Sequence, residues 1–404
     1  MASVDLSLNY GGLKLRNPVI VGSAENVHTA RMIQRAAHAG AAAVVTKTQH
    51  LTLPGDNRPY RERQLRRYKF MNIEKGTERE YDPELTEKGV YFTLITPNLG
   101  GLLKSEDIVP QIKKAKEIVN IPIIASIAGE SLNEYEEMAR MNEQAGADAI
   151  EVLDPHHYGV LGGSISFTKF TLLEAIQVVR KVVDLPISAK SAFAWENPAK
   201  TMKAIKEAGA NMVTAVGEMS LPALEIDVEK GEPLYNMHMG CYGSWFKPIS
   251  ISWVARAAQT SELPISGVSG ITKWNHAVEY IMAGASTVQV CSILFARGFK
   301  AIGEIVNGIR EFMERKGYLN LEDFRGIALD KIRSKMELFY KYTPMVSFVD
   351  ENLCRGCGEC EDVCYQEAIS IQEGVVQIES GKCIGCELCI STCPVKALYL
   401  GPKG

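Results

Sequence analysis

Short apolar runs recur along the chain, separated by segments of helical periodicity. Pro18 to Gly22 and Ala43 to Thr46 come first. Ile121 to Ile127, Ala149 to Leu153, Leu185 to Ala189, Met212 to Val216, Leu263 to Ser266 and Thr287 to Cys291 follow. They are rich in Val, Ile and Ala and lack clean polar alternation, the pattern of strands buried on both faces. Between them, Val27 to Ala37, Leu132 to Gln144, Thr168 to Val183, Pro198 to Glu207 and Lys273 to Met282 carry a helical pattern. Four of these run into an Ala-Gly pair, at Gly40, Gly146, Gly209 and Gly284, where glycine suits a left-handed helix C-cap. Eight strands alternating with helices predict an α/β fold, a (β/α)8 TIM barrel. An open doubly wound sheet would carry a Gly-rich fingerprint after its first strand, and Gly22 to Asn26 does not match one. Long insertions at Gln49 to Gly89 and Leu221 to Lys247 follow strand ends, so they are expected over the barrel's catalytic face.

The last segment departs from this pattern. Of the chain's 10 cysteines, eight fall after Leu353. They form two runs, Cys354, Cys357, Cys360, Cys364 and Cys383, Cys386, Cys389, Cys393. Both have the C-x2-C-x2-C-x3-C spacing of bacterial two-cluster ferredoxins, in which the fourth cysteine of each run serves the other cluster. Cys354, Cys357, Cys360 and Cys393 are therefore assigned to one [4Fe–4S] cluster, and Cys383, Cys386, Cys389 and Cys364 to the other. Structural zinc is the rival reading. It takes four ligands, typically from two paired hooks, and two complete four-cysteine runs fit that poorly. Tyr365 stands where such motifs often have proline. This segment is acidic while the rest of the 404-residue chain is nearly balanced, for a net charge of −4 overall. Two domains are expected, residues 1–345 and 346–404, after a charged and helical stretch from Leu321 to Tyr342.

Composition narrows the function. At 46% hydrophobic and 23% charged, the chain is neither disordered nor collagen-like. No long uncharged apolar run predicts a membrane span, and MASVDLSLNY does not read as a signal peptide. The near-neutral charge argues against nucleic acid. Cysteines concentrated behind a cysteine-poor body suggest metal ligation in a reducing, cytoplasmic setting.

Several stretches carry a family resemblance. Leu13 to Ala24 (LKLRNPVIVGSA), Ala41 to Thr48 (AAAVVTKT), Ile123 to Ala128, Gly146 to Glu151, Ile187 to Lys190 and Gly284 to Ser292 resemble the dihydroorotate dehydrogenase superfamily. The order of barrel then two-cluster ferredoxin most resembles the C-terminal half of dihydropyrimidine dehydrogenase. The resemblance implies FMN at the C-terminal ends of the strands. It places Ser23, Ala24, Lys47 and Thr48 near the flavin, with Lys190 as the cation that stabilises its reduced form. It implies further contacts from Gly243, from Val268, Ser269 and Gly270, and from Cys291 and Ser292. Backbone groups after the last two barrel strands form the usual phosphate site. By themselves, a Gly-x-Ser-Gly turn and a buried strand-end cysteine are also ordinary structural features.

The departures bear on the substrate. The superfamily ends its fourth strand with Asn-Leu-Ser-Cys-Pro, whose cysteine or serine transfers the proton. Anchored on Pro155, this chain puts Asp154 at that position, followed by His156, His157 and Tyr158. The Asn-Thr pair after the sixth strand is replaced by Thr214 to Glu218. Reducing a C=C bond needs a proton delivered to one carbon, and histidine can donate it near neutral pH. Asp154, His156, His157 and Tyr158 are the candidate catalytic residues, with a structural capping role as the alternative. Arg58, Arg61, Arg63, Arg66, Arg67 and Lys69 could hold an anionic substrate or an acidic partner, or form a solvated loop.

The expected function is an FMN and iron–sulfur oxidoreductase. It would pass electrons from an external donor through two [4Fe–4S] clusters to FMN and on to a C=C bond of a small unsaturated substrate, or the reverse, the substrate not being a standard pyrimidine. The alternatives are the conventional dihydropyrimidine dehydrogenase activity on uracil or thymine, and an electron-transfer subunit without small-molecule turnover. No Rossmann fingerprint for NAD(P)H or FAD is present, so the donor is expected on a separate flavoprotein subunit or a soluble ferredoxin. Homodimers are common in the superfamily.

Overall fold

The computed structural model describes residues 4–51, 69–72, 77–78, 92–97, 103–155, 170–190, 198–215, 221–223, 226–233, 239–332 and 344–403. It divides into two compact units, Met1–Lys331 and Ile332–Gly404.

The first unit opens with a hairpin of β1 (Leu8–Tyr10) and β2 (Leu13–Leu15). Eight parallel strands then close a ring. They are β3 (Val19–Val21), β4 (Ala43–Val45), β5 (Ile123–Ile127), β6 (Ala149–Leu153), β7 (Ile187–Lys190), β8 (Met212–Ala215), β9 (Ile265–Val268) and β10 (Thr287–Val290). Each pairs with the next, and β10 pairs with β3. The expected (β/α)8 barrel is thus present.

Helices α1 (Ala30–His38), α2 (Ser105–Ile118), α3 (Leu132–Gln144), α4 (Leu172–Arg180), α5 (Pro198–Glu207), α6 (Lys247–Ala258) and α7 (Trp274–Met282) surround it, and α8 (Ser292–Arg297) and α9 (Lys300–Lys316) follow β10. Thr29, Ser131 and Thr171 cap α1, α3 and α4 through their side-chain oxygens, which satisfies backbone N–H groups the helix start leaves open. The glycines of the Ala-Gly pairs all adopt positive φ, from 89° at Gly146 to 108° at Gly209.

The strands sort their side chains by period two. Val19, Val21, Val44, Ile123, Ile150, Ile187, Val213, Ile265 and Val288 pack outward with the helices in the main core. Ile20, Ala43, Val45, Ile124, Ala149 and Met212 join Tyr10, Leu13 and Leu15 in a separate apolar cluster, so the hairpin plugs the N-terminal end of the barrel. Both strand faces are apolar there, which explains the missing alternation in the sequence.

The two insertions join one sheet through Phe92–Pro97, which lies just beyond the first insertion's expected end at Gly89. Strand Met239–Gly243 pairs antiparallel with Phe92–Pro97 and with Leu221–Ala223, and Lys69–Asn72 extends the same sheet. Both insertions leave from C-terminal strand ends.

One expectation needs correction. The stretch from Leu321 was expected to be helical, yet it opens as two short 3-10 turns, Leu321–Asp323 and Leu329–Lys331. Asn320 and Asp323 cap each other there, and Gly326 turns the chain at φ 75°. Residues 333–343, ahead of the expected domain boundary at 345/346, lie outside the described residues.

The second unit contains two antiparallel pairs. β11 (Met345–Val349) pairs with β14 (Leu398–Pro402), and β12 (Ile369–Gln372) with β13 (Val375–Ile378). Short helices α10 (Glu359–Asp362) and α11 (Leu388–Thr392) sit within the two cysteine runs.

Candidate functional site

Polar side chains gather at the C-terminal ends of the barrel strands. Thr48, after β4, donates its backbone N–H to Ser23 Oγ at 2.9 Å. Its Oγ1 lies 3.0 Å from Ser23 Oγ and 3.0 Å from Ser126 Oγ on β5. Cys291, after β10, holds its thiol 3.9 Å from the Ser23 carbonyl oxygen. Ala24 is buried. Ser23, Thr48 and Cys291, predicted from distant segments, are therefore brought together. Lys47 forms an ion pair with Glu25 at 3.0 Å.

An ion pair lies deeper in the barrel. Lys190 Nζ, at the end of β7, is 3.3 Å from Glu151 Oε1 on β6, and their side chains are only 4% and 1% exposed. The other carboxylate oxygen accepts a 2.9 Å hydrogen bond from Thr214 Oγ1 on β8. Gln289 Nε2 on β10 donates to Thr214 Oγ1 at 3.0 Å. Ser188 Oγ lies 3.2 Å from the same hydroxyl. Burial and the Glu151 charge raise the Tyr10 phenol well above its usual range, and its hydroxyl donates to the Val213 carbonyl at 3.2 Å. Two charges taken out of water persist only where such partners surround them.

Sequence reasoning missed Glu151, Thr214 and Gln289 as site residues. The available signal was a polar residue inside a strand that is otherwise apolar on both faces.

The loop after β9 has strained backbone. Ser269 adopts φ 92° and Gly270 φ 69°, a region a non-glycine residue enters only under constraint. The single Tyr280 O–H is shared between the carbonyls of Val268 (3.0 Å) and Ser269 (2.8 Å), and Ser250 Oγ donates to that of Val268 at 2.6 Å. These bonds anchor two carbonyls of the turn. A Cβ on Gly270 would stand 2.7 Å from Lys247 Cβ and 2.9 Å from the Lys247 backbone nitrogen. Lys247 pairs with Glu279.

His276 supports this loop through Thr272, whose Oγ1 lies 3.1 Å from His276 Nδ1. Burial, then the nearby charges of Lys247 and Lys273, lowers its pKa from 6.5 to about 3. A histidine depressed on folding contributes stability that is complete above about pH 6.5 and is lost as pH falls toward about 3. His276→Gln is expected to flatten the acid side of the stability–pH curve across that window. Denaturant titrations at stepped pH measure this, and an unchanged slope would contradict it.

The remaining predicted residues divide. Gly243 is buried at φ 140°, and Ser292 opens α8. Asp154 donates its backbone N–H to the Lys190 carbonyl at 3.1 Å, which sets it beside the ion pair's strand end. His156, His157, Tyr158 and Arg58 to Arg67 lie outside the described residues, and of Lys69 the backbone alone is described.

In the second unit, Cys364, Cys383, Cys386 and Cys389 line one small pocket together with Ser347 and Ala368. Among the described residues, no three His, Cys, Asp or Glu side chains converge as a site for one metal ion. Cys360 and Cys389 share one buried cluster with Ile369, Val376 and Leu398, and Cys354, Cys364 and Cys393 pack against it.

Residues 94–313 match the family described as Dihydroorotate dehydrogenase, and residues 347–400 match the 4Fe-4S dicluster domain. The chain belongs to the dihydroorotate dehydrogenase family. Against the catalytic subunit of dihydroorotate dehydrogenase B (NAD(+)) from Methanosarcina mazei it is 31% identical over 330 residues, covering 80% of this chain and 94% of that protein. The corresponding Pyrococcus abyssi subunit is 29% identical over 326 residues, covering 80% and 99%. The NAD-dependent dihydropyrimidine dehydrogenase subunit PreA of Escherichia coli K12 is 25% identical over 423 residues, covering 99% and 96%.

Members of this family are FMN oxidoreductases that act on CH–CH bonds, and the chain is such an enzyme carrying a ferredoxin domain with two [4Fe–4S] clusters. The barrel residues fit a bound polar group. Both amide atoms of Asn26 and the indole nitrogen of Trp245 are buried without a protein partner, on loops that leave C-terminal strand ends. Buried donors and acceptors left open are costly unless a ligand fills them. Among the described residues, no helix is long and apolar enough to cross a membrane.

Proposed function

We propose that the C-terminal face of the barrel reduces a C=C bond of a small unsaturated substrate, or runs the reverse reaction, with electrons exchanged through the ferredoxin unit and a separate donor. The buried Lys190–Glu151 pair carries this reading, because a cation fixed at a barrel strand end is suited to developing negative charge. When bound, FMN supplies two-electron exchange with carbon and the clusters supply one-electron relay.

The chain's own residues would do the rest. Glu151 and Thr214 hold Lys190 in place. The Ser23–Thr48–Ser126 hydroxyl chain ties three strand ends together and keeps the cofactor floor rigid. The loop of Val268, Ser269 and Gly270, backed by Tyr280, binds phosphate. The segment from Asp154 through Tyr158 delivers the proton, with His156 or His157 as donor. The relatives are subunits of NAD-linked enzymes, which supports a partner that brings reducing equivalents from a nicotinamide cofactor.

The loss of the superfamily's Asn-Leu-Ser-Cys-Pro sequence at Asp154 favours a substrate other than a standard pyrimidine. The second reading, uracil or thymine reduction, is favoured by similarity to PreA over nearly the whole chain.

Replacing His156 and His157 separately with asparagine tests the proton route. A proton donor typically contributes about 10²–10⁴-fold, so one of the two variants should lose that much in the rate of substrate reduction. Its rate of flavin reduction by the donor should stay unchanged. Wild-type rates in both variants would remove the histidines from the mechanism.

A further inference from the structure

The two cysteine runs sit in a module with internal two-fold character. β11 leads into the first run and β13 into the second. Cys364 accepts a hydrogen bond from the Ala368 backbone N–H at 3.3 Å, and Cys393 accepts the equivalent bond from Ala397 at 3.2 Å. In both repeats the donor lies four residues on. Against this matched background one buried position changes its chemistry beside the sulfurs. Ser347 stands as far before Cys354 as Val376 stands before Cys383. Both are buried, at 2% and 3% exposed.

Their chemistry is opposite. Ser347 donates its backbone N–H to Cys383 Sγ at 3.4 Å, and its hydroxyl oxygen lies 3.2 Å from Cys389 Sγ. Both sulfurs belong to the set assigned to one cluster. A thiolate bound to iron carries no proton, so the serine hydroxyl must be the donor there. Val376 offers only methyl groups. It lies in the buried core of the module together with both Cys360 and Cys389, and the two-fold correspondence of the repeats sets it against Cys360 as Ser347 is set against Cys389.

A hydrogen bond to a cluster sulfur withdraws electron density. It stabilises the reduced, more negative state and raises the reduction potential. We propose that Ser347 makes the cluster of Cys364, Cys383, Cys386 and Cys389 the more easily reduced of the two, and that Val376 leaves its counterpart at lower potential. Ser347 is a positioning and tuning residue; the cysteines alone hold iron. The two clusters then form a step rather than a pair of equals, and an electron shared between them rests mainly on the cluster beside Ser347. This inference rests on the crossed cysteine assignment.

The test is an anaerobic redox titration of the full-length holoprotein followed by electron paramagnetic resonance, with iron counted in each variant. Ser347→Ala should move one cluster to lower potential, leave the other in place, and narrow the gap. Ser347→Thr, which keeps the hydroxyl, should preserve the wild-type gap. Val376→Thr, nearly the same shape with a hydroxyl added, should raise the second cluster. With two clusters retained, unchanged potentials in Ser347→Ala, or equal shifts of both clusters, would overturn the proposal. If Ser347→Ala loses iron, Val376→Thr decides, and an unmoved second cluster overturns it. A wild-type protein without two cluster signals would instead defeat the ligand assignment beneath it.

Discussion

Glu151→Gln is expected to destabilise the protein by about 3–5 kcal/mol, the usual cost of removing one partner from a buried ion pair. Lys190 would be left charged in a space where both side chains are at most 4% exposed. The amide could still accept from Thr214, but it could not balance the ammonium. The double variant Glu151→Gln, Lys190→Met removes both charges and should recover much of that loss, because replacing the whole pair with apolar or neutral groups is often nearly neutral. Activity should not recover with it, since Lys190 is also the cation proposed beside the flavin. Denaturant unfolding of the holoprotein gives the stabilities, and a double-mutant cycle gives the coupling. A Glu151→Gln stability within about 0.5 kcal/mol of wild type, the range of an ordinary surface substitution, would mean the pair is not what holds this layer of the barrel.

Cys364→Ser should abolish a cluster whose other three ligands come from the opposite repeat. Cys364, Cys383, Cys386 and Cys389 line a common pocket, and they are the set that the crossed assignment names. Iron should fall from about eight to about four per chain, as expected when one of two [4Fe–4S] centres is lost. The decisive comparison is spectroscopic. The cluster that survives in Cys364→Ser should match the survivor in Cys389→Ser, and the survivor in Cys393→Ser should match that in Cys360→Ser. If Cys364→Ser matched Cys360→Ser instead, each run would be serving its own cluster. Electron delivery between donor and barrel should collapse in either pair, because the relay loses a step.

The barrel was legible because its physics is local. Ala149 to Leu153 is a run buried on both faces, and it appears in the structure with those bounds. Leu132 to Gln144 and Pro198 to Glu207 likewise appear as read, the first with a serine cap in front and a left-handed glycine behind. The cysteine spacing was legible because iron–sulfur ligation imposes a short fixed interval.

What escaped the sequence depends on distant residues meeting. Glu151, Thr214 and Gln289 are far apart along the chain, and each looks like an isolated interruption of a strand. Only closure of the ring puts them on one network. The sheet that joins both insertions through Phe92–Pro97 escaped for the same reason, since Cys241 pairs with Ile95 across more than a hundred residues. The stretch from Leu321 misled because its charge pattern suits a helix, while Asn320, Asp323 and Gly326 favour tight turns. Ser347 gave no signal until its mirror position was found to be Val376.

The most direct test of the account is a flavin reoxidation screen on anaerobically purified protein. The holoprotein is reduced, small unsaturated compounds including uracil, thymine and orotate are added one at a time, and flavin absorbance is followed. The account predicts that FMN copurifies with the two clusters and that a C=C compound reoxidises the flavin, with the colour of the oxidised clusters returning in step. Flavin that stays reduced with every such compound, while an added electron-transfer protein reoxidises it readily, would contradict it and leave the chain a relay.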